Sequence, residues 1–138
     1  MKLNRVLLKL SGESLAGTAA YGLDHSKLQE YAREIAAVYK KGVQLALVIG
    51  GGNIFRGFKG SQQGFDRQTG DYMGMLATVI NSLALKSALE SLEVKVKLMS
   101  GLHIEGLTEK ANGKAAQQFL NEGYVVIFSG GTGNPYFS

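Results

Sequence analysis

Three short apolar runs in this chain each stop at a glycine-bearing turn. Val6 to Leu10 ends at Ser11-Gly12, and Val43 to Ile49 ends at Gly50-Gly51-Gly52-Asn53. Tyr124 to Phe128 leads into Gly130-Gly131-Thr132-Gly133-Asn134-Pro135. Apolar runs of this length bounded by turn residues read as buried strands, and Val94 to Leu98 reads as a fourth. Between them the spacing is helical. Leu28, Tyr31, Ala32, Ile35 and Val38 recur within residues 25–41, with Asp24 placed to cap the start and Gly42 to end the helix. Tyr72, Met75, Leu76, Val79 and Leu83 share one face of a long helix that continues to Leu89, and Thr108 to Asn121 predicts another. Residues 11–24 and 57–66 read as loops. Alternating strands and helices predict an α/β domain with a mostly parallel sheet. In such sheets the strand carboxyl ends lie along one edge, where ligands bind. The three glycine loops are therefore expected to converge on one site.

Glycine accounts for 19 of 138 residues, about twice the usual share of roughly 7%. Glycine loops let backbone N–H groups approach an anion, so they make phosphate cradles; each is equally capable of being a tight turn and nothing more. The familiar phosphate motifs are missing. No G-x-x-x-x-G-K-[ST] run occurs, and Phe55 and Tyr136 stand where a G-x-G-x-x-G pattern needs its third glycine. With no cysteine, a disulfide framework, a thiolate nucleophile and a thiolate zinc site are excluded. His25 reads as a helix-start residue, and His103 has Glu105 nearby but no second histidine at ligand spacing, so no metal site is expected. No G-x-S-x-G elbow occurs. The lack of a general base suits one reaction class. A phosphate monoester is largely ionised near neutral pH, so it can attack another phosphoryl group without being deprotonated.

Two cations stand at the right places for that chemistry. Lys9 interrupts an apolar strand at its carboxyl end, either to meet an anion or to reach water from an edge. Arg56 follows the second glycine loop, where its fork can grip phosphate or simply be solvated. Asp71 opens the long helix and has the ordinary reading of a first-turn carboxylate. Pro135, the only proline, stiffens the third loop. The formal charge of +4 comes from dispersed lysines with no arginine block, which reads as a solvated surface, not a nucleic-acid footprint. Met1 to Lys9 hold three cations and no long apolar core, so no signal peptide is expected there. No apolar run approaches the roughly 20 residues of a membrane span.

Four blocks together resemble the bacterial uridylate (UMP) kinases. They are Val6-Leu7-Leu8-Lys9-Leu10-Ser11-Gly12-Glu13, Val48-Ile49-Gly50-Gly51-Gly52-Asn53-Ile54-Phe55-Arg56-Gly57, Gly70-Asp71-Tyr72-Met73-Gly74-Met75-Leu76-Ala77-Thr78 and Gly130-Gly131-Thr132-Gly133-Asn134-Pro135-Tyr136-Phe137. The order holds through the whole chain, and the Asp71 block with Asn81 and Ala84 is the part most specific to that family. The resemblance implies a mostly parallel sheet sandwiched by helices, an amino-acid-kinase-like α/β/α arrangement. Residues 1–138 would be its N-terminal, UMP-binding part, with the C-terminal ATP-binding half absent.

What the resemblance implies for individual residues is specific. Lys9, Leu10, Ser11 and Gly12 would bind the ATP phosphates, with Lys9 stabilising the transferring group. Gly52 and Arg56 would lie where donor and acceptor phosphates face each other. Gly51 would meet UMP, Asp71 would hold its ribose, and Thr132, Gly133, Asn134, Pro135, Tyr136, Phe137 and Ser138 would line its pocket. Gly17, Thr18, Ala19, Ala20, Tyr21 and Gly22 correspond to a segment tied to activation by GTP. The family also implies Mg2+ with ATP, inhibition by UTP, a homohexamer and a cytoplasmic location. Lys110-Ala111-Asn112-Gly113-Lys114-Ala115 departs from the arginine-rich segment usual in the family. Two alternatives stay open: a kinase of the same fold acting on a carboxylate or carbamate, and a module that binds UMP or phosphate without catalysis. The Asp71 to Asn81 block favours a nucleotide acceptor. Alone, the 138 residues are expected to turn over negligibly.

Overall fold

The computed structural model describes residues 4–19, 21–55 and 64–131. In chain order the elements are β1 (Arg5–Leu10), a 3-10 helix (Gly12–Ala16), α1 (His25–Lys40), β2 (Gln44–Ile49) and α2 (Arg67–Glu90). They continue with β3 (Val96–Ser100), β4 (Glu109–Lys110), α3 (Gly113–Asn121) and β5 (Val125–Ser129). The strands form one sheet in the order β1-β2-β5-β3-β4, and every pairing is parallel. Parallel neighbours need a crossover between them, which helices supply except between β3 and β4, where turns at residues 101–108 make the link. Helices cover both faces, as the sandwich expectation requires.

On one face Leu45, Leu47 and Ile49 of β2 join Val125 and Ile127 of β5 and Val96 and Leu98 of β3. They pack under Leu28, Ala32 and Ile35 of α1 and Leu85, Ala88 and Leu89 of α2. On the other, Met99 and Val126 pack with Ala116 and Leu120 of α3. Near-continuous burial along β2 and β5 explains their apolar runs, because strands covered on both sides have no solvent face to keep polar.

Four expectations are corrected. β1 is not a buried strand. It lies at the sheet edge, where Val6, Leu8 and Leu10 pack on the core while Leu7 is 57% exposed. The stretch 11–24 contains the 3-10 helix, started by the Ser11 hydroxyl accepting from the Glu13 N–H and anchored by buried Leu15. Helix α3 begins at Gly113, not Thr108. Asn112 caps it by accepting from Ala115 N, whereas the Thr108 hydroxyl closes the preceding turn by accepting from Ile104 N. Glu109 and Lys110 instead pair with Met99 and Ser100. Finally, Asp71 does not open α2; Asp66 caps it, which puts Asp71 in the second turn.

The apolar face read along α2 is split. Met75 and Val79 are buried, whereas Tyr72 and Leu76 stand out to solvent, as does Ile80, which lies outside that face. Within its 24 residues α2 holds an 18-residue stretch of mean hydropathy 1.2, long and apolar enough to cross a membrane by length and composition. Its place here is as a core helix against the sheet, with Asn81 and Ser82 buried and hydrogen-bonded.

Burial sets the expected cost of truncation. Leu47→Ala, at a fully buried site, is expected to lower stability by about 2–5 kcal/mol in urea unfolding. Leu7→Ala, on the exposed edge, should change it by no more than about 0.5 kcal/mol.

The α2 cap has a pH signature. Hydrogen bonds from the Thr69 N–H and then the Thr69 hydroxyl hold the Asp66 carboxyl below its ordinary value of 3.8. Between the folded and unfolded values the unfolded chain binds more protons, so stability rises with pH there. The cap contribution is therefore complete above the unfolded value and is lost as pH falls through the folded one. Asp66→Asn keeps an acceptor but removes the titration. Acid unfolding of the variant is expected to show a shallower pH slope below about pH 4.

Candidate functional site

The sheet order places the three glycine-terminated strands side by side as β1, β2 and β5. Their register makes them end level, with Leu10 beside Ile49 and Val48 beside Phe128. The loops that follow must then lie along the carboxyl edge, and the first two meet there backbone to backbone. Gly50 N donates to the Leu10 carbonyl at 2.9 Å. A Cβ on Gly12 would lie 2.7 Å from the Gly50 carbonyl, 2.7 Å from Asn53 Oδ1 and 2.8 Å from Gly52 N. Only a residue without a side chain fits there.

Helix α2 braces the other two loops. A Cβ on Gly51 would lie 2.7 Å from the Ala77 Cβ and 2.9 Å from Thr78 N. One turn face further round, the Thr78 hydroxyl accepts from Gly130 N at 2.7 Å and donates to the Met75 carbonyl at 2.6 Å. Gly130 has φ +74°, and a Cβ there would run into Ser100 Oγ. Asn81 completes the brace: its Nδ2 donates to the Gly50 carbonyl at 2.7 Å and to Asn53 Oδ1 at 2.7 Å.

Between the loops lies a cleft of about 690 Å³ bordered by Lys9, Ser11, Gly50, Thr78, Ser129 and Gly131. Lys9, Val48 and Phe128 are paired across the sheet, so the lysine stands at the end of an apolar row on one face. A lysine, hydroxyls and close-packed glycine turns over an apolar floor suit a phosphorylated ligand with a flat apolar portion.

The sequence-predicted residues fall into four groups. Lys9, Leu10, Ser11 and Gly12 come together with Gly51 and Gly52, so the expected convergence of the first two loops is observed. The third loop joins them through Gly130 and Gly131. Asp71 is not at the cleft border. It lies on α2 in an i, i+3, i+7, i+10 stripe with Gly74, Thr78 and Asn81, about 10 Å along the axis from Thr78 at 1.5 Å per residue. Its carboxylate sits 3.7 Å from the Arg67 guanidinium. Gly74, between them, leaves room: a Cβ there meets no described atom within 4 Å. In the segment from Gly17 to Gly22, Gly22 touches the second loop, with its N–H donating to the Asn53 carbonyl at 2.7 Å. Arg56, Ala20 and Thr132 to Ser138 lie outside the described residues.

Thr78, Asn53 and Asn81 were not singled out as site residues from the sequence. For Thr78 and Asn81 the signal was available, because both are polar residues inside an otherwise apolar helical segment, whereas Asn53 reads as an ordinary turn residue. On α2 the polar spacing from Asp71 through Thr78 to Asn81 marks a face as clearly as the apolar one does.

The family model of the Amino acid kinase family matches residues 4–136. The chain belongs to the amino acid kinase family. It is 57% identical over 134 residues to the uridylate kinase of Porphyromonas gingivalis, covering 97% of this chain and 56% of that protein. Among solved structures it is similar to the UMP kinase from Ureaplasma parvum, with a TM-score of 0.89 at 35% identity, over 100% of this chain and 58% of that one. The isopentenyl phosphate kinase of T. acidophilum shares the fold, with a TM-score of 0.61 at 13% identity, over 91% of this chain and 54% of that one. This amino acid kinase chain thus spans little more than half the length of these relatives.

The close approach of Gly51 to α2 is directly testable. Gly51→Ala is expected to destabilise by about 1–3 kcal/mol, since the helix backbone cannot move aside. Gly113→Ala, whose Cβ would meet no described atom within 4 Å, should stay within about 0.5 kcal/mol or stabilise. Thermal unfolding of the two variants makes the comparison.

Proposed function

We propose that this chain is the UMP-binding part of a UMP kinase, which transfers the γ-phosphoryl group of ATP to UMP to give UDP and ADP. The observation that carries the reading is the α2 stripe of Asp71, Gly74, Thr78 and Asn81, whose far end braces the strand-end loops. A helix that positions a phosphate cradle and carries a carboxylate two turns away, with open space between, fits a nucleotide monophosphate laid along it. The likeness to uridylate kinases supports uracil as its base.

In this reading Lys9, Leu10, Ser11 and Gly12 take the ATP phosphates, Gly52 and Arg56 stand where the two phosphates face each other, and Gly51 and Asp71 hold UMP. Thr132, Gly133, Asn134, Pro135, Tyr136, Phe137 and Ser138 complete its pocket. The UMP phosphate, with a second pKa near 6, attacks without a base. Lys9 and the loop N–H groups offset the charge that builds on the transferring oxygens, and fixed donors do this without reorganising. Among the described residues no group of three or more His, Cys, Asp or Glu could hold a metal. Mg2+ would arrive on the ATP phosphates and keep several water ligands, as is usual for this ion in kinases.

The rest of the reading extends outward. The adenine site belongs to sequence beyond these residues. GTP and UTP are its proposed effectors, with Gly17, Thr18, Ala19, Ala20, Tyr21 and Gly22 in the GTP response. A homohexamer is proposed, with the exposed Tyr72, Leu76 and Ile80 stripe of α2 as a contact between copies. The compartment is the cytoplasm.

Calorimetry with UMP, against CMP, aspartate and NAD, tests the assignment. UMP is expected to bind selectively and aspartate and NAD to give no heat, while phosphoryl transfer by these residues alone stays negligible. A folded chain that binds aspartate but not UMP would replace the nucleotide reading with a carboxylate one.

A further inference from the structure

Two buried asparagines lie behind the glycine loops; Asn81 braces the Gly50 turn, and the pair it makes with Asn53 has no part in the chemistry proposed above. Asn53 and Asn81 are 1% and 0% exposed and face each other as a reciprocal amide pair. Asn53 Nδ2 donates to Asn81 Oδ1 at 3.1 Å, and Asn81 Nδ2 donates to Asn53 Oδ1 at 2.7 Å. The second N–H of each amide is also used. Asn53 reaches outward to the Gly22 carbonyl at 2.9 Å, and Asn81 reaches inward to the Gly50 carbonyl at 2.7 Å. All four side-chain donors are thereby matched. Gly22 answers with its own N–H on the Asn53 carbonyl at 2.7 Å.

The result is a continuous path of hydrogen bonds. It runs from the outer stretch Tyr21–Asp24, which also caps α1 through Asp24, across the amide pair, to the turn that borders the cleft. Buried amides with every donor committed have one low-energy arrangement, because any displacement leaves a desolvated group unpaired. We infer that Asn53 and Asn81 are positioning residues that lock the Gly50–Asn53 turn to the Tyr21–Asp24 stretch, so that displacing the outer stretch displaces the cleft-facing turn. Neither side chain touches a ligand in this assignment. Its binding consequence rests on the strand-end loops being the phosphate site; its structural consequence does not.

The entry point for the test is Gly22, which has φ +88° and no described atom within 4 Å of a Cβ. Gly22→Ala strains the outer stretch through its backbone alone and creates no clash. Hydrogen exchange is read at the Gly50 amide, bonded to Leu10, and at the Ile54 and Phe55 amides, both bonded to Gly51. Amides inside β2 and β5 serve as the global reference. Gly22→Ala is expected to speed exchange at Gly50 by about tenfold, the cost of a side chain at positive φ, and to leave the reference amides unchanged. In an Asn81→Ala background the same substitution should have a clearly smaller effect at Gly50, since only the direct Gly22–Asn53 bonds remain.

A Gly50 amide indifferent to Gly22→Ala overturns the inference. So does an effect of equal size with and without Asn81. Should Asn81→Ala not fold, the Gly22→Ala result alone decides. A parallel titration with UMP is expected to show weaker binding in Gly22→Ala by about the same factor. Failure of the parent chain to bind UMP would count against the kinase reading and leave the exchange result to stand by itself.

Discussion

The close approach of Gly12 to the Gly50–Asn53 turn is the contact on which the site depends. Two strands that end level would normally keep their following loops a side chain apart. Here the separation collapses to backbone contact, with the Gly50 and Gly52 main chain within 2.8 Å of where a Cβ on Gly12 would be. That approach brings the Lys9 end of β1 beside the β2 turn without a wall of side chains between them. The same logic recurs at Gly51 against α2 and at Gly130 against Ser100, so each loop is held by a surface that excludes a Cβ. Loops so constrained can present N–H groups in fixed directions, which is what a preorganised anion site requires.

Much of this was legible in the sequence because it rests on short-range signals. Apolar runs ending in glycine located β2 and β5, and the Asp24 and Gly42 punctuation located α1 to within a residue. The convergence of the loops followed from the rule that parallel strands share a carboxyl edge. The errors arose where neighbours outside the local window decide. The run Val6 to Leu10 reads as a buried strand like β2, and Lys9, the one sign of an edge in it, served equally well as an anion ligand. Thr108 precedes a helical pattern, yet its hydroxyl is taken by Ile104 N, and Asn112 is the better cap four residues on.

The candidate site was read less completely than the fold, for a related reason. Lys9, Ser11 and Gly12 announce themselves by type and place. Thr78, Asn53 and Asn81 matter only through partners far away in sequence: Gly130 for Thr78, Gly22 for Asn53 and Gly50 for Asn81. Polarity inside an apolar segment marks such residues as needing partners, since a buried unpaired amide costs about 1–3 kcal/mol. It does not name the partners. Geometry does that, and it turns three scattered polar residues into one brace.

The composition of α2 follows from the number of surfaces it serves. One side, with Leu85, Ala88 and Leu89, packs on the sheet. A second, with Ala77, Thr78 and Asn81, holds the strand-end loops. A third carries Tyr72, Leu76 and Ile80 to the outside. A helix with one buried face keeps most of its circumference polar. Here two faces are buried and the third is apolar, which leaves little of the circumference for charge and lifts an 18-residue stretch of the helix to a mean hydropathy of 1.2. The value that by composition suits a membrane span is thus the sum of three packing demands. Asp71, Thr78 and Asn81 form one polar stripe along the middle of the helix, while its other charged residues, Arg67, Lys86 and Glu90, sit near its two ends.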